Sequence, residues 1–212
     1  MVKRIKKVTK GKPTRERKKI IVVGAEGKNK TEELYLRYME RTQTKYHFVF
    51  ATGNDTDPIR LVRSIAKKIK EEDLSFKDGD LAYCLFDLDL DKTKEPQMIT
   101  AKSTAVQKNI QLITSNPCFE VWYIEHFGYT TKPFNSSAEV IRELKKYIPN
   151  YNKNTSNYDE LFPLTKDAIK NCKRLEDHHQ KNNYGTTSEY SNPHTDVYKL
   201  IELLLSQNPT GE

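Results

Sequence analysis

Apolar and polar positions along the chain alternate between two rhythms. Ile20-Ile21-Val22-Val23, behind a run of basic residues, is short, continuous and β-branched, the pattern of a strand buried on both faces of a parallel sheet. The polar GAEGKN that follows leads into a helix predicted from about Lys30 to Arg41. Tyr46 to Phe50 reads as a second strand and GNDTDP as a loop. In that loop Asp57 suits an N-cap and Pro58 a first helical position, ahead of Ile59, Val62, Ile65, Ala66 and Ile69 on one helical face. A third strand, Leu81 to Phe86, ends at a run of aspartates. A helix from about Thr100 to Lys108 then precedes a fourth strand, Ile110 to Thr114. Ser115-Asn116-Pro117 carries the chemistry of a helix start, for a helix running through Phe119, Val121, Trp122, Ile124 and Phe127.

Strands alternating with helices over residues 20–127 predict an α/β fold, a parallel sheet with helices on both faces. Ligands of such sheets bind beyond the carboxyl ends of the strands. AEGKNKTE, DLDLD and SNPCFE each follow a predicted strand, so all three should meet at that edge. Further helices are expected near 138–148, 165–181 and 194–206. They are joined by NYNKNTSNY and QKNNYGTTSEYSNP, whose Asn and Tyr residues read as ordinary loop chemistry. The expected organisation is a basic, disordered tail (1–19), an α/β core (20–130) and a helical extension packed on it (131–212).

Composition changes this picture in one respect. The net charge of +7 suggests a nucleic-acid binder, but residues 1–19 hold ten Lys or Arg against Glu16 alone. The other 193 residues carry 26 basic and 28 acidic side chains, so the body is close to neutral. The tail can engage phosphates through counterion release or serve as a solvated leader. Cys84, Cys118 and Cys172 are widely spaced and odd in number, which fits a reducing compartment and no zinc pattern. No apolar run approaches the roughly 20 residues that span a bilayer, and MVKRIKKVTK lacks a signal-peptide core, so a cytoplasmic location without membrane contact is expected.

The candidate chemistry centres on Leu85-Phe86-Asp87-Leu88-Asp89-Leu90-Asp91. Three readings compete. Gly24 to Thr31 approaches a phosphate-binding P-loop, but Asn29 replaces a glycine and Glu26 would repel the anion. Phe86-Asp87-Leu88-Asp89 is similar to the opening of a haloacid-dehalogenase-type phosphatase, although its strand is not first and Asp91 stands where Thr or Val is usual. As a metal pair, Asp87 and Asp89 would project the same way about 7 Å apart and flank Mg²⁺ or Mn²⁺, hard cations that take oxygen ligands. Asp91 reads as surface charge. His126 fits a satisfied boundary histidine, and the adjacent His178 and His179 point apart.

These residues carry a resemblance. Glu26-Gly27 after the first strand and Asp87-x-Asp89 after a later one resemble the signatures of the Toprim fold of primases, topoisomerases and overcoming-lysogenization-defect nucleases. The order E-G-x-x-K-T-E, F-D-x-D, S-N-P-C-F-E-x-W-x-x-x-H-F and N-P-x-T-D-V-x-K-L, from about Lys19 to Leu205, is similar to the RloB-like family. That group is Toprim-like and linked to bacterial restriction and abortive-infection loci. The resemblance implies a Mg²⁺- or Mn²⁺-dependent nuclease on DNA or RNA, tRNA included, acting in anti-phage defence beside a separately encoded ABC/AAA-type ATPase. Glu26, Asp87 and Asp89 would hold the metal and carry catalysis. Lys30 would stabilise transition-state charge, and Glu120 would ligate a second metal or offset a helix dipole. Lys28, Lys30 and Asn116 would touch nucleic acid. Glu32 reads as a support for the metal-binding acids or, in Asn29-x-x-Glu32, as part of a capping box. The non-enzymatic alternative is a scaffold binding nucleic acid or the ATPase, and it would be favoured if the site acids were paired with internal Lys or Arg.

Overall fold

The computed structural model describes residues 17–26, 31–42, 45–51, 57–89, 95–182 and 191–207. Five strands form one sheet among these residues: β1 (Lys19–Ala25), β2 (Tyr46–Phe50), β3 (Leu81–Asp87), β4 (Gln111–Asn116) and β5 (His194–Thr195), in the order β2-β1-β3-β4-β5. The first four run parallel, and β5 pairs antiparallel to the end of β4 through Ser115–Thr195 and Asn116–His194. Helices α1 (Thr31–Thr42), α2 (Pro58–Glu71) and α3 (Glu95–Gln107) connect the parallel strands. The short α4 (Glu120–Ile124) follows β4, then α5 (Ser137–Leu144), α6 (Tyr158–Leu161), α7 (Thr165–Lys181) and α8 (Val197–Ser206). The α/β class read from the alternation is the class observed.

Strand alternation decides which helix covers which face. Ile21, Val23, Tyr83 and Leu85 point to one side, where α1 and the helices after β4 bury Tyr35, Leu36, Trp122, Val140, Leu161 and Leu204 against them. Val22, Ala82, Cys84 and Phe86 point to the other, against Leu61, Val62 and Ile65 of α2 and Met98, Ala101 and Ala105 of α3. Asp57 caps α2 as its sequence suggests, Oδ1 accepting the Arg60 N–H at 2.9 Å, with Pro58 opening the helix. Gly24 permits close packing here, since a Cβ on it would lie 2.6 Å from Ile65 Cγ1. The segment after residue 130 does not stand apart from the sheet. It shares the first of these cores and supplies β5 as well as helices. No helix among the described residues is long and apolar enough to cross a membrane.

The helix start expected at Ser115-Asn116-Pro117 and the helix expected from about 194 need correction, the latter beginning at Val197 after β5. Ser115 and Asn116 end β4 rather than open a helix, and the helix that follows is confined to Glu120–Ile124 before turns carry the chain to Phe127. The reason is a non-local partner. Ser115 Oγ meets Thr195 Oγ1 at 2.9 Å, and Asn116 Nδ2 donates to the Ser191 carbonyl at 3.0 Å, so pairing with β5 holds the segment extended. Ser191-Asn192-Pro193 likewise leads into β5. Asn192 clamps Phe134, its Oδ1 accepting the backbone N–H at 3.1 Å and its Nδ2 donating to the carbonyl at 2.7 Å. Both Asn116-Pro117 and Asn192-Pro193 are cis.

The opposite, amino edge of the sheet is tied by Asp80, which is 1% exposed. Its Oδ1 accepts the Ile20 N–H at 2.7 Å and its Oδ2 the Ser75 N–H at 2.9 Å, with the Arg17 guanidinium beside them. Burial by itself would raise this carboxyl, but the two N–H groups and Arg17 hold it below the usual range. Asp80→Ala strands two backbone donors. It is expected to lower stability by about 2–3 kcal/mol in urea unfolding at pH 7, and a loss under about 0.5 kcal/mol would show that water replaces the carboxylate.

Candidate functional site

The parallel register sets the site. Ala25 lies opposite Leu85, so Glu26, the next residue, leaves the sheet near the end of β3, whose final residue is Asp87 opposite Ser115 of β4. Glu32 comes from the first turn of α1, where a carboxylate also meets the positive end of the helix dipole. Glu120 is the first residue of α4. Four elements thus deliver acids to the carboxyl edge of the sheet, as the convergence of AEGKNKTE, DLDLD and SNPCFE suggests.

The acids are poorly solvated and repel one another. Loss of water is the largest influence on Asp87, and Glu32, Glu120 and Asp89 add to it, so its carboxyl lies well above the usual carboxylate range against the opposing pull of Lys153. Glu32, 6% exposed, is pushed up to about 8. Burial comes first there, with Glu120 and Glu26 raising it and its own N–H and Lys153 opposing. Glu120 is 1% exposed, and its Oε1 accepts the Tyr151 hydroxyl at 2.7 Å and the Lys153 ammonium at 3.1 Å. The remaining oxygens, Glu32 Oε2 and Glu120 Oε2, are buried without a hydrogen-bond partner among the described residues.

Asp89 departs from the strand geometry expected of it. β3 ends at Asp87, Leu88 N–H still reaches the Ser115 carbonyl at 2.9 Å, and Asp89 then takes a left-handed backbone (φ 49°). Its N–H bonds the Pro117 carbonyl at 3.0 Å, and its exposed carboxylate accepts the Ser137 hydroxyl at 3.1 Å. The two aspartates are therefore not an i, i+2 pair on one strand face. Asp89 remains close enough for its charge to act on Asp87.

Asn116 is also corrected. It is 0% exposed with its amide nitrogen on Ser191, so it fastens the β5 segment and is not presented to a nucleic acid. Lys28, Lys30 and Asp91, and the Asn29 of the proposed capping box, lie outside the described residues. His126 is a buried histidine whose Nδ1–H donates to the Trp122 carbonyl at 2.8 Å, and His179 Nε2–H donates to the Pro193 carbonyl at 2.7 Å. Sequence reasoning underweighted Glu32 and missed Lys153 and Tyr151. The sequence does hold one signal for Lys153, a single charge in the otherwise uncharged stretch PNYNKNTSNY.

Five residues after Glu120, at the far end of α4, lies a second buried acid with its own pH dependence. Glu125, 0% exposed, is raised to about 8, chiefly by burial, against the Thr130 backbone and Arg174. A folded-state pKa above the unfolded one means stability is full at low pH and lost as pH rises towards about 8. His126 works oppositely. Burial lowers it to about 4, so its contribution is lost only as pH falls below its unfolded value of 6.5. Between pH 6.5 and 8 the Glu125 effect stands clear of it. Glu125→Gln is expected to gain on the native protein by on the order of 1–2 kcal/mol across that window in urea unfolding, and parallel stability curves would refute this.

Fold and site together define an α/β protein that gathers carboxylates from several elements at the carboxyl edge of a mostly parallel sheet. A family model described as RloB-like protein matches residues 21–204, and the chain belongs to the RloB-like family. No curated protein and no solved structure matches the chain.

Proposed function

We propose that this chain is a divalent-metal-dependent nuclease, hydrolysing phosphodiester bonds of DNA or RNA in bacterial anti-phage defence. The observation that carries the reading is the acid cluster itself. Desolvation and mutual repulsion push the Glu32 carboxyl up to about 8 and hold that of Asp87 well above the usual carboxylate range, an arrangement that costs stability and that a cation relieves. The donors are all oxygen, which suits Mg²⁺ or Mn²⁺ and not a thiophilic metal. Among the described residues no three Asp, Glu, His or Cys side chains already form a metal cage, so binding would draw the carboxylates together.

Glu26 and Asp87 would hold the cation, with Asp89 at the exposed rim. When bound, such an ion screens the scissile phosphate and lowers the pKa of attacking water. Glu26, at the end of the neighbouring strand β1, would either complete the metal's shell or take and return the proton of water or leaving oxygen. The family resemblance supports the defence role and a separately encoded ABC/AAA-type ATPase partner.

One observation favours the non-catalytic scaffold reading: an internal lysine, Lys153, already neutralises Glu120. The two readings separate in one experiment. Purified protein is incubated with DNA and with total RNA, with Mg²⁺, Mn²⁺ or EDTA, while Mn²⁺ binding is measured by calorimetry. Cleavage that EDTA abolishes is expected. Binding of neither metal, with both nucleic acids intact in the presence of the partner ATPase, would leave the scaffold.

A further inference from the structure

Building on the nuclease reading, we propose that Lys153 is the phosphate-binding cation of this site, and that Glu120 and Tyr151 position it rather than ligate metal. An acid cluster by itself repels a nucleic-acid backbone, so a phosphodiester needs a local positive charge in order to approach. Among the described residues, Lys153 is the lysine whose charge acts on Glu32, Asp87 and Glu120 together. It is fixed from two directions. Thr31 Oγ1 donates to its carbonyl at 3.2 Å, tying the loop to the first residue of α1, and its ammonium lies 3.1 Å from Glu120 Oε1. That same oxygen accepts Tyr151 OH at 2.7 Å, so the carboxylate has little freedom to turn.

The difference in exposure points outward from this buried pair. Glu120 is 1% exposed, whereas the Lys153 side chain is 26% exposed, and an ammonium has three protons of which Glu120 Oε1 takes one. An anion arriving at the cluster finds the others. Glu120 Oε2 and Glu32 Oε2, buried and without a hydrogen-bond partner among the described residues, are acceptors that a phosphate oxygen cannot satisfy, which leaves the anion to Lys153.

The test measures binding apart from cleavage. Fluorescence anisotropy follows phosphorothioate-linked DNA and RNA oligonucleotides, which resist hydrolysis, with Mg²⁺ present and salt varied from about 50 to 200 mM. Lys153→Met alone would leave Glu120 a buried, unpaired charge, so the double variant Lys153→Met/Glu120→Gln is compared with Lys153→Arg and native protein. The double variant is expected to bind roughly tenfold to a hundredfold more weakly, with a log–log salt slope shallower by about 0.7–0.9. Lys153→Arg is expected to keep the slope, and Mn²⁺ affinity is expected to stay unchanged in both. A folded double variant with native affinity and slope overturns the assignment. So does one whose Mn²⁺ binding falls in step with its oligonucleotide binding, which would return Glu120 to the metal shell. Native protein that binds the probes yet never cuts an unmodified strand overturns the nuclease reading and leaves Lys153 standing; native protein that binds no probe overturns the Lys153 assignment.

Discussion

Asp87→Asn is expected to abolish metal-dependent cleavage, by about a thousandfold or more in kcat/KM, while leaving the fold intact. Asp87 ends β3, which lies between β1 and β4, so its carboxylate is the acid most central to the edge where Glu26, Glu32 and Glu120 arrive. The isosteric amide keeps the shape and removes the proposed metal ligand, and metal-borne charge stabilisation of a phosphoryl transition state is worth several kcal/mol. The same change removes a charge that burial and three neighbouring acids disfavour. Without divalent ion, the variant's melting temperature is therefore expected to equal or exceed the native value. Lost activity beside undiminished stability is the signature of a residue kept for chemistry at the expense of the fold. Cleavage that survives Asp87→Asn combined with Glu26→Gln would refute the proposed mechanism. A large fall in melting temperature would assign Asp87 a structural role.

Trp122→Ala is expected to cost about 3–5 kcal/mol, on the order of 10 °C in melting temperature for a chain of this size. Trp122 is 0% exposed and stands edge-on to Tyr35 of α1 at 6.3 Å and to His126 at 4.5 Å between ring centroids. The helix that carries it is five residues long and has no side-chain cap, so tertiary packing rather than helix propensity holds it in place. Glu120 sits two residues before Trp122, and through it the Lys153 ammonium is aimed. The variant should therefore also weaken oligonucleotide binding, and Trp122→Phe should recover most of both losses. Thermal unfolding followed by circular dichroism checks the first effect and anisotropy the second. A loss below about 1 kcal/mol would mean that the core around Tyr35 collapses to fill the space.

How much of this was legible in the chain depends on how local each cause is. Ile20–Val23, Asp57-Pro58 and the apolar stripe of α2 declare their structure within a few residues, because strand and helix periods and caps are short-range properties. Ser115-Asn116-Pro117 carries an equally plain local message that the fold overrides, since β5, nearly eighty residues later, pairs with it. Asp89 shows the same limit at the site. An aspartate two residues after a strand aspartate reads as its same-face neighbour, but the strand stops first and a left-handed residue turns it toward Ser137.

The sequence by itself determined the α/β class and the sheet edge at which Glu26 and Asp87 lie, because the order of strands and helices dictates which loops share that edge. Only the tertiary structure decided which other groups complete that edge. Glu32 reads alone as a helix-capping acid, and Lys153 and Tyr151 as loop residues; burial beside Asp87 and Glu120 makes the first a strained carboxyl and the others its neighbour's partners. The difference is one of physical range. Backbone periodicity is set by adjacent residues, whereas desolvation and charge coupling are set by whatever the folded chain brings within a few ångströms.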